Sequence, residues 1–363
     1  MNKKTGNNGW DPYSEQPYKL PSDQKPRTDT TNLIEYSKVF ITALLLTPAI
    51  GWRYFKPKRQ TPRPDRQHFV GLSISPNSMF NNALLEMVDE LGVAQLLLRM
   101  PSWQMNELEP RVRFAEQFGD RGWVINVLQN RDSFLDGERW QQNLARIFSA
   151  FQHLTPYFQI GNAINRSKWG CRHSGEFLTL MELAAEVQRD YPKIRLIGSS
   201  VIDFEPLVTL RTLFNFYHYQ QQHTASLLYI NRRGSAFGKQ YRYFDLERKI
   251  RLIAAINALS NRSDNSLWIT EFNWPLLNTR PYTPNSGHPR STVDEATQAR
   301  YLKQYYQIAW RSGLVERVYW WQLLNPGYGL VNFRDGTLRK HPSWFAFKEI
   351  LAGDLKDEPD YRR

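Results

Sequence analysis

From His68 to about Ile350 the chain alternates between short apolar runs and longer stretches in which apolar residues recur every three or four positions. The runs predict strands at Val70–Ser75, Gln95–Met100, Trp123–Leu128, Tyr157–Gly161, Arg195–Ser200, Ser226–Ile230, Leu267–Thr270 and Val318–Gln322. The stretches between them predict amphipathic helices at Asn81–Leu91, Leu108–Phe118, Glu138–His153, Phe177–Arg189, Arg211–Gln221, Leu246–Leu259 and Glu295–Arg311, and Phe345–Leu351 closes the series. A strand followed by a helix, repeated around a region of about this size, is the arithmetic of a (β/α)8 TIM barrel of the α/β class. An open doubly wound sheet is the alternative, but no G-x-G-x-x-G follows the first strand, where a dinucleotide fold would place it.

The pattern before His68 is different. Residues 1–38 are polar and rich in Lys, Asn, Pro and Asp, which predicts a disordered tail. An uncharged run of 14 residues follows, Val39 to Trp52, and then a string of cations: Arg53, Lys56, Lys58, Arg59, Arg63 and Arg66. The run is short of the ~20 residues that cross a bilayer, is interrupted by Pro48, and begins too far from Met1 for an ordinary signal peptide. Three readings are open: a helix packed against the main domain, an interfacial helix held to anionic lipid by its cations, or a short span. The chain thus divides into a polar tail (1–38), an apolar segment with a basic flank (39–67), the barrel (68–352) and a charged C-terminal tail (353–363).

Charge and composition narrow the function classes. The net charge is +12 and 14% of residues are aromatic. The first favours anionic partners; the second suits stacking on sugars or bases as well as core filling. No zinc-finger spacing, Walker-type phosphate loop or basic heptad region is present, so a nucleic-acid reading rests on charge alone and no specific nucleic acid is expected. The histidines have no metal-ligand spacing with carboxylates, so no metal and no cofactor is implied. Cys171 stands alone, which excludes an internal disulfide, and without a placed His it is weak evidence for a thiol nucleophile and reads as a bystander. The expected location is the cytoplasmic side of the inner membrane or the cytoplasm, with the periplasm left open.

In a barrel of this kind chemistry sits at the C-terminal ends of the strands. The seventh strand ends Thr270-Glu271-Phe272-Asn273-Trp274 and the fourth continues as Gly161-Asn162-Ala163-Ile164-Asn165-Arg166-Ser167-Lys168-Trp169-Gly170. Together with Tyr328-Gly329-Leu330-Val331 and Arg339-Lys340-His341-Pro342 near the end of the chain, these motifs resemble the clan A glycoside hydrolases, in particular the β-xylosidase and α-iduronidase branch. The resemblance covers roughly residues 68–351. It implies a retaining glycosidase barrel, with Glu271 as the nucleophile, Asn162 holding the sugar's 2-hydroxyl, Arg99 supporting the nucleophile and Tyr229 near it. It also exposes a departure: the family's acid/base glutamate on strand 4 is Ala163 here. Retaining hydrolysis needs two carboxyl groups ~5–5.5 Å apart, and alanine has no proton to give.

The remaining candidates follow from position. Asp203 and Glu205 alternate after strand 5 and are candidate surrogate acids. Arg166, Lys168 and Trp169 form a cluster suited to an anionic sugar or phosphate, with Asn165 beside them and Arg232 contributing from strand 6. Trp321 is placed as a sugar platform. The expectation is a glycoside hydrolase-like protein acting on a cell-envelope or lipid-linked, acidic glycan, with Glu271 as nucleophile or charge stabiliser. The alternative is a catalytically inactive glycan-binding pseudo-glycosidase in surface polysaccharide biosynthesis.

Overall fold

The computed structural model describes residues 9–25, 30–59, 64–228, 234–282, 291–353 and 355. Eight parallel strands close into a barrel: β1 (Val70–Ser73), β2 (Gln95–Pro101), β3 (Gly122–Leu128), β4 (Tyr157–Ile160), β5 (Arg195–Ile202), β6 (His223–Leu227), β7 (Ser266–Phe272) and β8 (Arg317–Trp320), with β8 pairing back onto β1. The expected TIM barrel is therefore the observed fold. Around it lie α1 (Thr30–Phe55), which precedes the barrel, and then α2 (Asn81–Leu91), α3 (Leu108–Glu116), α4 (Gly137–Phe151), α5 (Ser174–Gln188), α6 (Pro206–Leu213), α7 (Leu246–Asn257), α8 (Glu295–Ser312) and α9 (Pro342–Ala352). Aspartates start several of these helices by accepting a backbone N–H in the first turn: Asp136 for α4, Asp245 for α7 and Asp294 for α8.

Two apolar layers explain why the strand runs are so uniformly hydrophobic. Outward side chains meet the helices in one continuous core, and inward ones fill the barrel with Leu97, Val124, Ile197, Ala225, Trp268 and Tyr319. Gly71 is required here, because a Cβ at that position would lie 2.3 Å from the Tyr319 ring.

Two elements are displaced from their predicted positions. The sixth strand begins at His223 rather than Ser226, because it opens on two polar residues that an apolar pattern passes over: His223, which points into the barrel against Trp268, and Thr224, which points outward and donates to Asn257 of α7. The helix after strand 5 starts at Pro206 and ends at Leu213, ahead of the predicted Arg211–Gln221. Proline fits the first helical turn, where its missing N–H costs nothing.

The larger corrections concern the N-terminal region. The segment expected to be a disordered tail is folded over residues 9–25: Trp10–Asp11 pairs antiparallel with Gln16–Pro17. The apolar element is a 26-residue helix that begins at Thr30, well before Val39. It runs along the flank of the barrel, packing Ala43, Leu46 and Ile50 against Leu210, Leu213 and Ile256 of α6 and α7. Glu35 pairs with the buried Arg211 of α6. The opposite face, including Phe40, Ile41, Leu44 and Leu45, is exposed. This helix is long and apolar enough to cross a membrane. However, residues 9–17 before it and the barrel after it lie together, so the docked arrangement sets α1 on the barrel's flank. The C-terminal residues 356–363 and residues 1–8 lie outside the described residues.

Candidate functional site

The C-terminal ends of the strands converge on Arg99 and Glu271. Arg99 stands on β2, directly opposite Asn126 of β3. Glu271 comes from an irregular stretch of β7. Between Ile269, which pairs with Val318, and Phe272, which pairs with Trp320, β7 carries one more residue than β8. Such a bulge re-aims side chains next to functional sites. Here Phe272 remains among the outer aromatic rings, against Tyr305 and Tyr306, while Glu271 accepts a hydrogen bond from Arg99 Nη2. The Arg99 guanidinium also lies 3.4 Å from the centre of the Trp321 ring. Behind it, Arg111 Nη1 donates to the Arg99 carbonyl at 3.0 Å.

The strand-4 loop is built differently from the expected substrate cluster. Gln129 fixes it, accepting from Asn162 N at 2.8 Å and donating to the Asn162 carbonyl at 2.9 Å. Ala163 is fully buried, at φ +48°. Asn165 uses its whole amide on the backbone of Ile202, donating to the carbonyl at 2.8 Å and accepting from N–H at 2.9 Å. It therefore staples the β4 loop to β5. Arg166 donates to Asp203 at 2.6 Å and to Glu205 at 2.5 Å. Those two carboxylates hold the arginine above its ordinary pKa although burial opposes this. The proposed surrogate acids and the proposed anion-binding arginine are thus partners of one another, because the loops of adjacent strands β4 and β5 meet at the rim.

The mouth is filled by the chain's own N-terminal segment, which the sequence reading missed. Glu15, at φ +47°, accepts from Ser75 Oγ at 2.8 Å and from Gln322 Nε2 at 2.8 Å, beyond the ends of β1 and β8. Its backbone carbonyl accepts from Arg99 Nη1 at 3.0 Å, on the same guanidinium that holds Glu271. Tyr328 donates to the Ser14 carbonyl at 2.7 Å and Asn325 to the Tyr13 carbonyl at 3.0 Å. Lys168 donates to Gln16. Trp10 sets its edge against Trp103 and Trp169. The signal for this docking was present as Trp10, Tyr13 and Tyr18, three large rings in an otherwise polar stretch.

The other candidates fall as follows. Trp169 and Trp321 are both 3% exposed, and the Trp321 face is covered by Arg99, so neither is an open platform while the segment is docked. Tyr229 and Arg232 lie outside the described residues. Burial pushes the Cys171 thiol up to about 12, which removes it as a nucleophile. Among the described residues no group of His, Cys, Asp and Glu could hold a metal ion. A further residue missed from sequence is Lys249 of α7. It is fully buried and donates to Gln240 Oε1 at 2.8 Å; burial pushes its ammonium down to about 8.

No protein-family model and no curated protein matches this chain. Solved structures do match it. A family 39 glycoside hydrolase from the gut symbiont Bacteroides cellulosilyticus WH2 superposes over 80% of this chain with a TM-score of 0.59 at 15% identity, and this chain spans 65% of that protein's length. A GH30 endoxylanase from Clostridium papyrosolvens C71 matches over 79% of this chain and 72% of its own, with TM-score 0.53 and 12% identity. A family 5 xyloglucanase from Paenibacillus pabuli matches over 79% of this chain and 99% of its own, also with TM-score 0.53 and 12% identity. These neighbours are glycoside hydrolases, and what the chain shares with them at such identities is the fold, a (β/α)8 barrel.

Proposed function

We propose that the barrel mouth binds a carbohydrate, an acidic glycan of the cell envelope or one linked to lipid, and that it does so without cleaving it. One observation carries this reading. The acid/base position is the buried Ala163, and the two nearby acids that were candidates to replace it, Asp203 and Glu205, are both engaged by Arg166. Glu271, held by Arg99, would then face the sugar ring as a hydrogen-bond acceptor. A general acid typically contributes 10²–10⁴-fold to such a reaction. In this reading the docked N-terminal segment is the resting occupant of the mouth, and a glycan displaces it. With α1 on the flank and Arg53, Lys56, Lys58 and Arg59 at its end, the protein would lie at an anionic membrane surface, on the cytoplasmic side.

Hydrolysis is the second reading, favoured by a specific observation: Glu15 brings another carboxylate into the mouth, with its carbonyl on the guanidinium that holds Glu271. The experiment compares wild type with Glu271→Gln on uronic-acid-containing and phosphorylated oligosaccharides, measuring affinity by calorimetry and product release by chromatography. The binding reading expects no product from either protein, and affinities within about tenfold, that is, within about 1.4 kcal/mol. Product from the wild type that disappears in Glu271→Gln would replace it with the hydrolase reading.

A further inference from the structure

We propose that a trough between α1 and the barrel holds the hydrocarbon chain of a phosphorylated lipid that carries the glycan, with the anionic headgroup at the rim of the mouth. This rests on the glycan reading above and names the form in which the glycan arrives.

Two cavities define the trough. The first, of about 570 Å³, lies between the N-terminal half of α1 and the loops after β4 and β5. The second, of about 380 Å³, lies further along α1, against α6 and α7. Pro206 and Leu207 line both, so the two meet at the start of α6. Each falls within the ~300–1,000 Å³ range of ordinary ligand sites. From Val39 to Phe55 the helix advances about 24 Å at 1.5 Å per residue, which gives the trough the length of a long acyl or prenyl chain.

The chemistry changes along this length in the way an amphiphile requires. The second cavity has no charged residue in its wall and is lined by groups such as Ala43, Ile50, Leu210 and Ile256. The first is polar at the mouth side, where Asn165, Arg172 and His173 line it. Its two acids are already matched, Glu205 by Arg166 and Glu35 by Arg211 and Lys38. The Arg172 side chain is exposed and forms no ion pair among the described residues. A phosphate at this end would meet an unmatched guanidinium. Asn165 and Glu205, on the wall of the same cavity, border the Arg166 cluster of the mouth, so a sugar attached to that phosphate would point toward Glu271. The cations after α1, with the exposed apolar face of Phe40, Ile41, Leu44 and Leu45, suit a helix lying in an anionic lipid surface from which such a molecule is drawn.

The test uses the full chain with three probes below their micellar concentrations: hexadecyl phosphate, butyl phosphate, and hexadecyl phosphate esterified to glucose. Hexadecyl phosphate should bind at least a hundredfold more tightly than butyl phosphate. Leu207→Trp, at an exposed position where the cavities join, should weaken the long-chain probes at least tenfold without changing binding of a soluble oligosaccharide. Arg172→Ala, also at the surface, should weaken hexadecyl phosphate but not hexadecanol. The glucosyl probe should bind at least tenfold more tightly than a lysophosphatidylglycerol of the same chain length. Equal affinity for long and short chains, or no effect of Leu207→Trp in a protein of unchanged Tm, overturns the trough while leaving the glycan reading intact. Loss of all oligosaccharide binding with long-chain selectivity retained overturns the glycan reading alone. Chain-matched lysophosphatidylglycerol binding as tightly as the glucosyl probe would assign the trough to bulk membrane lipid and overturn the proposal.

Discussion

The two ends of the barrel are held together in different ways. At the floor the partners are strand residues in fixed register. His223 of β6 stacks on Trp268 of β7 with ring centres 4.3 Å apart, and the Arg317 guanidinium of β8 sits 4.3 Å from the Trp268 ring. Arg317 also donates to Gln95 of β2 at 2.8 Å. At the mouth the partners come from loops and from far along the chain: Arg166 with Asp203 and Glu205, Arg99 with Glu271 and the Glu15 carbonyl, Lys168 with Gln16. The floor cannot open without breaking strand pairing, so its contacts report on global stability. The mouth is closed by a segment separated from β1 by a long helix, so it can open while the barrel stays folded.

The largest effect that would sharpen this contrast is at the floor. Trp268 is fully buried and its Nε1 donates to Ser266 and to Glu316, each at 3.1 Å. Trp268→Ala would remove the stack, leave Glu316 short of a donor and open a void in the barrel interior. A buried tryptophan truncation costs about 3–5 kcal/mol, which for a domain of this size lowers Tm by about 10 °C. Thermal unfolding measures it. A loss of under 1 kcal/mol would mean that the interior layer does not carry the barrel, and the contrast with the mouth would fail.

The next effect is in pH. Burial pushes His223 down to about 4, with Glu316 opposing it. Between that value and the ~6.5 of an unfolded histidine, the unfolded chain binds a proton that the folded chain does not. Stability therefore falls as pH drops from about 6.5 toward 4, at up to ~1.4 kcal/mol per pH unit. The carboxylates with lowered pKa, such as Glu295 at about 2, where Arg339 is the main cause, contribute stability that is lost only below about 4.5. His223→Phe keeps a ring against Trp268 and removes the titrating group. It should flatten the dependence of Tm on pH between 6.5 and 4.5, and what slope remains includes that of His341, which burial also displaces downward. An unchanged slope would show that protons at the floor are not coupled to folding.

The same contrast decides what could be read from the sequence. The barrel was legible because outward strand positions and helix faces are apolar with regular periods, and Glu271 was legible because it directly follows such a run. The start of β6 was not, since His223 is a polar ring held inside the barrel by its stack on Trp268 of another strand, and Thr224 faces α7, where it donates to Asn257. The pairing of Arg166 with Asp203 and Glu205 depends on β4 and β5 being adjacent, which strand order supplies but composition does not. The Trp10–Pro17 segment was hidden by its polar composition. Its contacts with Arg99, Ser75 and Gln322 join positions that no local pattern connects, and only its aromatic residues hinted at burial.

The smallest effect tests the mouth itself. Glu15 accepts one bond from Ser75 and one from Gln322, each at 2.8 Å, and both partners act as donors. In Glu15→Gln the amide oxygen can still accept from Gln322 and the amide nitrogen can donate to the Ser75 hydroxyl, so both contacts persist but neither is any longer to a charged group. A hydrogen bond to a charged group contributes about 1.5–3 kcal/mol and a neutral one about 0.5–1.5 kcal/mol. The docked state should therefore lose on the order of 1 kcal/mol, a five- to tenfold rise in the population of the released segment. Tm should hardly move, because the barrel unfolds from a state in which the segment can already be free. Amide exchange should show faster opening over residues 10–17 and no change in β2 or β7. If Glu15→Gln instead lowers Tm as much as a floor substitution does, the segment folds as part of the barrel. The mouth would then be a closed end like the floor, and a glycan could not gain entry by displacing the segment alone.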